Sequence, residues 1–219
     1  PPAHTPRTDP PAPPAHPRTA PTHPTGDADH DPTADQALPH PASHNGVYKL
    51  ANEGTARNYA SDEVVGSVGL RPLAIYGPGR DQGLTSDPSR SMLSVLLGRP
   101  FEIGFGGSTT LQYAPDVARA FIVAARSSTP DARIYNLDGS LVSIDAFIET
   151  LDRVVPGAAE LVSHKEPALA FPAEVESTSL AELGEIPVTP LEEAIAQSVA
   201  LYRERLDAGV LDPADHGLR

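Results

Sequence analysis

The chain has 219 residues, with 16 Lys and Arg against 29 Asp and Glu and a formal net charge of −13; this balance argues against nucleic acid or an anionic membrane as partner. It contains no Cys, which excludes disulfides, thiolate catalysis and Cys-ligated metals. No apolar run approaches the roughly 20 residues of a bilayer-spanning helix, nothing resembles a signal peptide, and the first residue is Pro, not Met, so Pro1 is not expected to be the natural start of translation.

From Pro1 to Asp35 only seven residue types occur, and 13 of the 25 prolines and six of the eight histidines lie in the first 44 residues. Such a segment cannot bury enough apolar surface to offset the entropy of ordering it. Residues 1–37 therefore read as a disordered Pro/His/Ala-rich arm, partly polyproline II. Its histidines are irregularly spaced and separated by proline, so no metal site is expected. Residues 38–209 form the folding unit, and 210–219 a tail.

Within the folding unit, 47–60 (VYKLANEGTARNYA) reads as a helix with a small-residue face. Ser67–Gly77 (SVGLRPLAIYG) is a short apolar run closed by Tyr-Gly-Pro-Gly, a buried strand and a turn. Residues 89–98 form a helix stopped by Gly98. FEIGFGG and TTLQY read as two short strands around a glycine turn, a hairpin. Residues 115–128 form a helix with Pro115 in its first turn. ARIYNLD is a strand, and Ser143 caps a helix that runs to Pro156-Gly157. Thr189-Pro190-Leu191-Glu192 reads as a capping box with Pro at the first helical position. Leu191, Ile195, Val199, Tyr202 and Leu206 then share one face, with Gly209 as the stop. The alternation of strands and helices indicates an α/β fold.

A Tyr and a Lys at i and i+4 share a helix face. There the ammonium lowers the phenol pKa from about 10 toward neutrality, so the phenol can exchange a proton during hydride transfer. Here Lys49 has Asn45 four residues before it. The blocks YKLANEGTAR, GLRPLAIYGPGRDQGLTS, GRPFEIGFGG, LQYAPDVARAF and IPVTPLEEAI follow in order. Together, over roughly Ala37 to Gly209, they resemble the C-terminal half of an extended short-chain dehydrogenase/reductase of the NAD-dependent epimerase/dehydratase family.

The resemblance implies a partial Rossmann-like doubly wound sheet with a smaller C-terminal substrate lobe. It implies NAD or NADP as cofactor, a sugar substrate, often nucleotide-linked, and a cytoplasmic enzyme. A homodimer through the Lys49 helix is compatible with it. By the same resemblance Lys49 would hold the nicotinamide ribose and tune the acid/base, and Asn45 occupies the place of the catalytic Tyr. Pro72 and Leu73 would lie beside the cofactor and Ala74 beside the sugar. The loop Tyr76 to Ser86, with Arg80, the FEIGFGG hairpin and Gln112 would border the substrate, and Gln112 and Asp116 fall where the small lobe rejoins the sheet. Thr109 or Thr110 stands where many members carry a phosphate-binding Arg.

Two departures weigh against activity. A carboxamide at Asn45 cannot exchange a proton near neutral pH. Tyr48 is adjacent to Lys49, about 100° away around the helix, and His44 precedes the helix. The dinucleotide motif G-x-x-G-x-x-G does not precede Asn45, and Gly77-Pro78-Gly79 and Gly104-Phe105-Gly106-Gly107 read as turns. The chain is thus expected to be a truncated or frame-disrupted, catalytically deficient family member. The alternative is a binding module with the Pro-rich arm as its docking element. Other residues have structural explanations: helix capping for Glu192-Glu193, a helix start favoured by the dipole for Asp116, and a surface or strand-edge role for His164, which has no companion ligand in the sequence.

Overall fold

A computed structural model describes residues 18–19, 44–170 and 172–218. In chain order the elements are β1 (Arg18–Thr19), α1 (His44–Asp62), β2 (Ser67–Arg71), β3 (Ala74–Tyr76), α2 (Asp87–Leu96), β4 (Phe101–Ile103), β5 (Ser108–Tyr113), α3 (Ala114–Arg126), β6 (Ala132–Asn136), β7 (Ser140–Ser143), α4 (Ile144–Val154), α5 (Ala158–Leu161) and β8 (Val162–His164). A 3-10 helix (Thr178–Leu183), α6 (Leu191–Asp207) and a second 3-10 helix (Pro213–His216) complete the chain.

β2 sits between β1 and β6, all parallel. Side chains alternate across a strand. Val68 and Leu70 are fully buried and pack with Val117, Ala120 and Ala124 of α3, while Arg71 reaches the opposite side, to α1. This sheet is covered by a helix on each face. Little of α1 is apolar enough to fix its position: the residues it buries are Gly46 and Glu53, and Val47, Tyr48 and Tyr59 stay exposed. What fixes it is an ion pair. Arg71 Nε and Nη2 donate to Glu53 Oε1 and Oε2, each at 2.8 Å, with both residues buried. Two parallel charge-assisted bonds of this kind set orientation as well as distance.

The second layer is the sheet β3-β5-β7, with β3 and β5 parallel and β5 and β7 antiparallel. Against it pack α2, α4 and α6 through Met92, Leu93, Phe147, Leu151, Ile195 and Val199. Tyr76 lies edge-on to Phe147 at 6.3 Å. The Ser143 cap is present, its hydroxyl accepting from Ala146 N at 3.1 Å. α6 ends as expected, with Gly209 at φ +66°. Its N–H donates to Leu206 O, and that of Val210 to Arg205 O, the paired bonds of a Schellman stop.

Several expectations are corrected. Ser67–Gly77 is not one strand but two, interrupted at Pro72-Leu73 and divided between the two sheets; Pro72 has no N–H to continue a ladder. FEIGFGG and TTLQY do not form a hairpin. β4 pairs with β8 in parallel, and β5 pairs with β3 and β7. A Cβ at Gly106 would lie 2.3 Å from Lys165 O, so the glycines serve the close approach of the segment after β8, not a turn between paired strands. The capping box is also absent. Pro190 is the N-cap of α6, with no side-chain cap, because Thr189 is engaged by Asp116: its N–H and hydroxyl donate to the Asp116 carboxylate at 2.7 and 3.0 Å. Of the arm, only Arg18–Thr19 is described, and it forms a strand with Cα partners Gly69 and Leu70 instead of remaining unpaired. The readings of the rest of the arm, its polyproline character and its histidines, lie outside the described residues.

Removing one partner of a buried ion pair leaves an uncompensated charge, so Glu53→Ala should cost about 3–5 kcal/mol of stability. The double replacement Glu53→Leu with Arg71→Met should recover most of that. Urea unfolding of the three chains checks this; equal midpoints for Glu53→Ala and wild type would contradict it.

Candidate functional site

The residues that the sequence singles out fall on α1, the passage from β2 to β3, the loop after β3, and β5. Asn45 is exposed in the first turn of α1 and Lys49 is half-buried one turn later. Loss of hydration at that position lowers the Lys49 pKa, in the direction that makes an ammonium a better proton partner. Tyr48 is 68% exposed. For Tyr48 to take the place of Asn45, α1 would have to turn by about 60° and slide by about 4.5 Å along its axis, and that movement would pull Glu53 off Arg71. Helix spacing sets Asn45 one turn before Lys49, and the ion pair holds both in place against the neighbouring strand.

Pro72 is buried and Leu73 half-buried at the break between β2 and β3, and Ala74 is fully buried at the start of β3. Gln112 is fully buried on β5. Its Oε1 accepts from Leu73 N and its Nε2 donates to Leu137 O, both at 2.6 Å. The carboxamide is thus committed to backbone on both ends, and it clamps the chain where it leaves one sheet for the other. Arg80 lies on the loop after β3, and its guanidinium donates to Gln82 O and Thr85 Oγ1 of the same loop. The structure thus brings Leu73 and Gln112 together, keeps Asn45 and Lys49 on one helix, and folds Arg80 onto its own loop.

Thr110 donates to Ala173 O at 2.8 Å, and Asn136 Nδ2 to Glu176 O at 2.9 Å. These bonds draw the segment after β8 across the strand ends. A shallow cleft opens beside the Asp116–Thr189 contact, lined by Gln112, Leu137, Asp138, Gly139 and Ser140 among others. A small apolar gap lies under α1 beside Glu53, Gly69 and Ile134. Neither includes Asn45 or Lys49. Among the described residues no three His, Asp or Glu side chains group to hold a metal, and no helix is long and apolar enough to cross a membrane.

The pairs that hold the site were not singled out in the sequence: Glu53 with Arg71, Asp116 with Thr189, and His216 with Asp81 at 3.5 Å. The first had a signal. Glu53 is a charge on the inward stripe of α1 and Arg71 a charge within an apolar strand, and each needs a buried counter-charge.

The parallel sheet between α1 and α3, with a Lys-bearing helix on one face and a mixed sheet and helical lobe beyond, is a Rossmann-like α/β domain. The profile of the NAD-dependent epimerase/dehydratase family matches residues 17–138, more than half of the chain, and the chain belongs to that family. The match begins ahead of Ala37, where the motif resemblance begins, in keeping with the pairing of β1. No curated protein sequence matches. Among solved structures, MoeE5 in complex with UDP-glucose and NAD superposes with a TM-score of 0.69 at 23% identity, over 87% of this chain and 64% of that one. UDP-glucose 4-epimerase from Thermotoga maritima gives 0.73 at 24% identity, over 87% and 63%. A partial-consensus L-threonine 3-dehydrogenase gives 0.72 at 18% identity, over 86% and 64%. The chain thus spans about 64% of the length of MoeE5, and these likenesses carry the fold.

His164, at the end of β8, does have a companion. Its Nε2 lies 3.0 Å from Asp145 Oδ1 and its Nδ1 2.9 Å from Lys165 O. Both ring nitrogens face acceptors, so the imidazolium is the form that satisfies them. The Lys165 carbonyl first, and Asp145 second, raise the pKa above 6.5. A raised folded-state pKa gives stability that is fully present below about pH 6.5 and is lost as pH rises through the higher folded value. The Tm difference between wild type and His164→Gln should therefore be larger at about pH 5.5 than at about pH 8.5. A difference constant across that range would contradict the assignment.

Proposed function

We propose that this chain is the substrate-side portion of an NAD(P)-dependent enzyme that oxidises, epimerises or dehydrates a sugar, and that it is deficient in proton transfer as it stands because Asn45 replaces the acid/base. The observation that carries the reading is the placement of α1: the Glu53–Arg71 pair sets Lys49 half-buried against the sheet, with Asn45 one turn before it. Family membership supports NAD or NADP as the cofactor, and the UDP-glucose found in MoeE5 supports a nucleotide-linked sugar as substrate.

In this reading Lys49, Pro72 and Leu73 are assigned to one end of that cofactor. Lys49, with its lowered pKa, would hold the nicotinamide ribose, and Pro72 and Leu73 would lie beside the nicotinamide ring. When bound, the cofactor supplies hydride acceptance. Ala74 would border the sugar, as would the loop that carries Arg80. Gln112 enters through Leu73, whose N–H it fixes. The proton of the sugar hydroxyl would pass to a phenolate at position 45, and the amide of Asn45 has no lone pair basic enough to take it. The glycine-rich turn that holds a pyrophosphate at a helix N-terminus is not among these residues, so the remainder of the cofactor would be held by sequence that this chain does not contain.

Restoring the phenol tests the reading. With residues bearing the dinucleotide motif supplied in trans, Asn45→Tyr should raise NAD-linked turnover of UDP-glucose by about 10²–10⁴-fold. Tyr48→Phe should leave turnover unchanged, and Lys49→Ala should abolish the gain. Turnover by the Asn45 chain that equals that of Asn45→Tyr would overturn the proposal. No turnover and no cofactor binding in either chain would favour the interaction module with a Pro-rich docking arm.

A further inference from the structure

The loop after β3 is held chiefly by its own groups. Gly77 and Gly83 adopt φ of +111° and +92°. The N–H of Arg80 donates to Gly77 O and that of Ser86 to Gly83 O, each at 3.1 Å. Gly77 N–H also donates to Ser89 Oγ of α2 at 2.9 Å. The Arg80 guanidinium donates to Gln82 O and Thr85 Oγ1, and Ser86 Oγ to Gly83 O, also within the loop; a loop bonded mainly to itself opens at lower cost than the strands, yet Arg80 needs a fixed loop if it is to meet a ligand in one geometry.

A tie comes from the far end of the chain. Asp212 caps the last 3-10 turn, its Oδ1 accepting from Ala214 N at 2.8 Å. The turn is seated on α2 by arginines. Arg90 Nε donates to His216 O at 3.0 Å and Arg90 Nη1 to Asp87 at 3.2 Å, and the guanidinium stacks 5.2 Å over Phe101. Gly217 has φ +70°, and a Cβ there would lie 2.9 Å from Arg90 Nη2, so the backbone rests directly on the guanidinium. Arg99 Nη1 donates to Leu218 O at 3.1 Å, and the Leu218 side chain is buried in the core. Residues 212–218 are thus anchored independently of the loop. From this anchored turn His216 Nδ1 reaches Asp81 Oδ2 at 3.5 Å, the residue next to Arg80.

We propose that the C-terminal turn straps the loop Gly77–Ser86 to α2 through the His216–Asp81 contact, making His216 a positioning residue for the loop that carries Arg80. The functional consequence rests on the reading that this loop borders the substrate; the strap itself does not.

Native-state hydrogen exchange of the whole chain tests it, because the Arg80 and Ser86 amides are hydrogen-bonded within the loop and report its opening. In His216→Ala these two amides should exchange about 2- to 5-fold faster, while those of β2 keep the wild-type rate. The exchanged pair, Asp81→His with His216→Asp, should restore protection. His216→Asn serves if the alanine variant folds poorly. Unchanged exchange in the loop, or acceleration spread equally over β2, would overturn the strap. UDP-glucose added to the wild type separates the two readings. Slowed exchange at Arg80 and Ser86 supports the loop as a substrate border. No effect of UDP-glucose, with His216→Ala still accelerated, leaves the strap standing and removes the substrate reading.

Discussion

A carboxylate on a helix and a guanidinium on the neighbouring strand, both buried, govern the geometry of this molecule. Dehydrating either ion alone costs several kcal/mol, so Glu53 and Arg71 are stable inside only when they meet. They meet in a side-on fork with both bonds at 2.8 Å. Because α1 buries little else, with a glycine as its only other buried residue, its rotation and axial position follow from this contact more than from packing. Lys49 lies one turn before Glu53 and Asn45 one turn before that, so the chemistry of the helix inherits its register from the ion pair.

The second constraint is the passage from one sheet to the other. Pro72 ends the ladder of β2, and Leu73 and Ala74 start again in a different sheet. Such a break exposes backbone groups that need partners. Gln112 supplies them, accepting from Leu73 and donating to Leu137, and so joins β3, β5 and the end of β6. Asp116, in the first turn of α3, has the corresponding role there: it holds Thr189 and with it the start of α6. Both residues sit in the block that the sequence associates with substrate, and both act here through backbone geometry.

Much of this was legible in the residues. The helices announced themselves through proline, glycine and the Ser143 cap, and the Leu191–Leu206 stripe lines the buried face of α6, because these signals are local. The strand pairing was not legible. FEI and TTLQY are adjacent in sequence, yet each pairs with a strand from elsewhere, and sequence proximity carries no information about a parallel partner. The capping box failed for a related reason: Thr189 has the right local chemistry, but Asp116, distant in sequence, competes for it. Of the site, the helix bearing Lys49 and Asn45 was legible, since i and i+4 spacing is local. The roles of Gln112 and His216 depend on contacts with distant segments and emerge only from the fold.

Lys49 and its neighbours are the proposed partner for the nicotinamide end of a dinucleotide, and none of these 219 residues is assigned to its pyrophosphate. Calorimetric titration of NAD into the purified chain tests this most directly. The expected result is binding no tighter than a Kd of about 1 mM, since one end of the ligand alone is held. A micromolar Kd that is lost in Lys49→Ala would contradict it, because the chain would then hold the whole cofactor with residues that have no such role in the proposed arrangement.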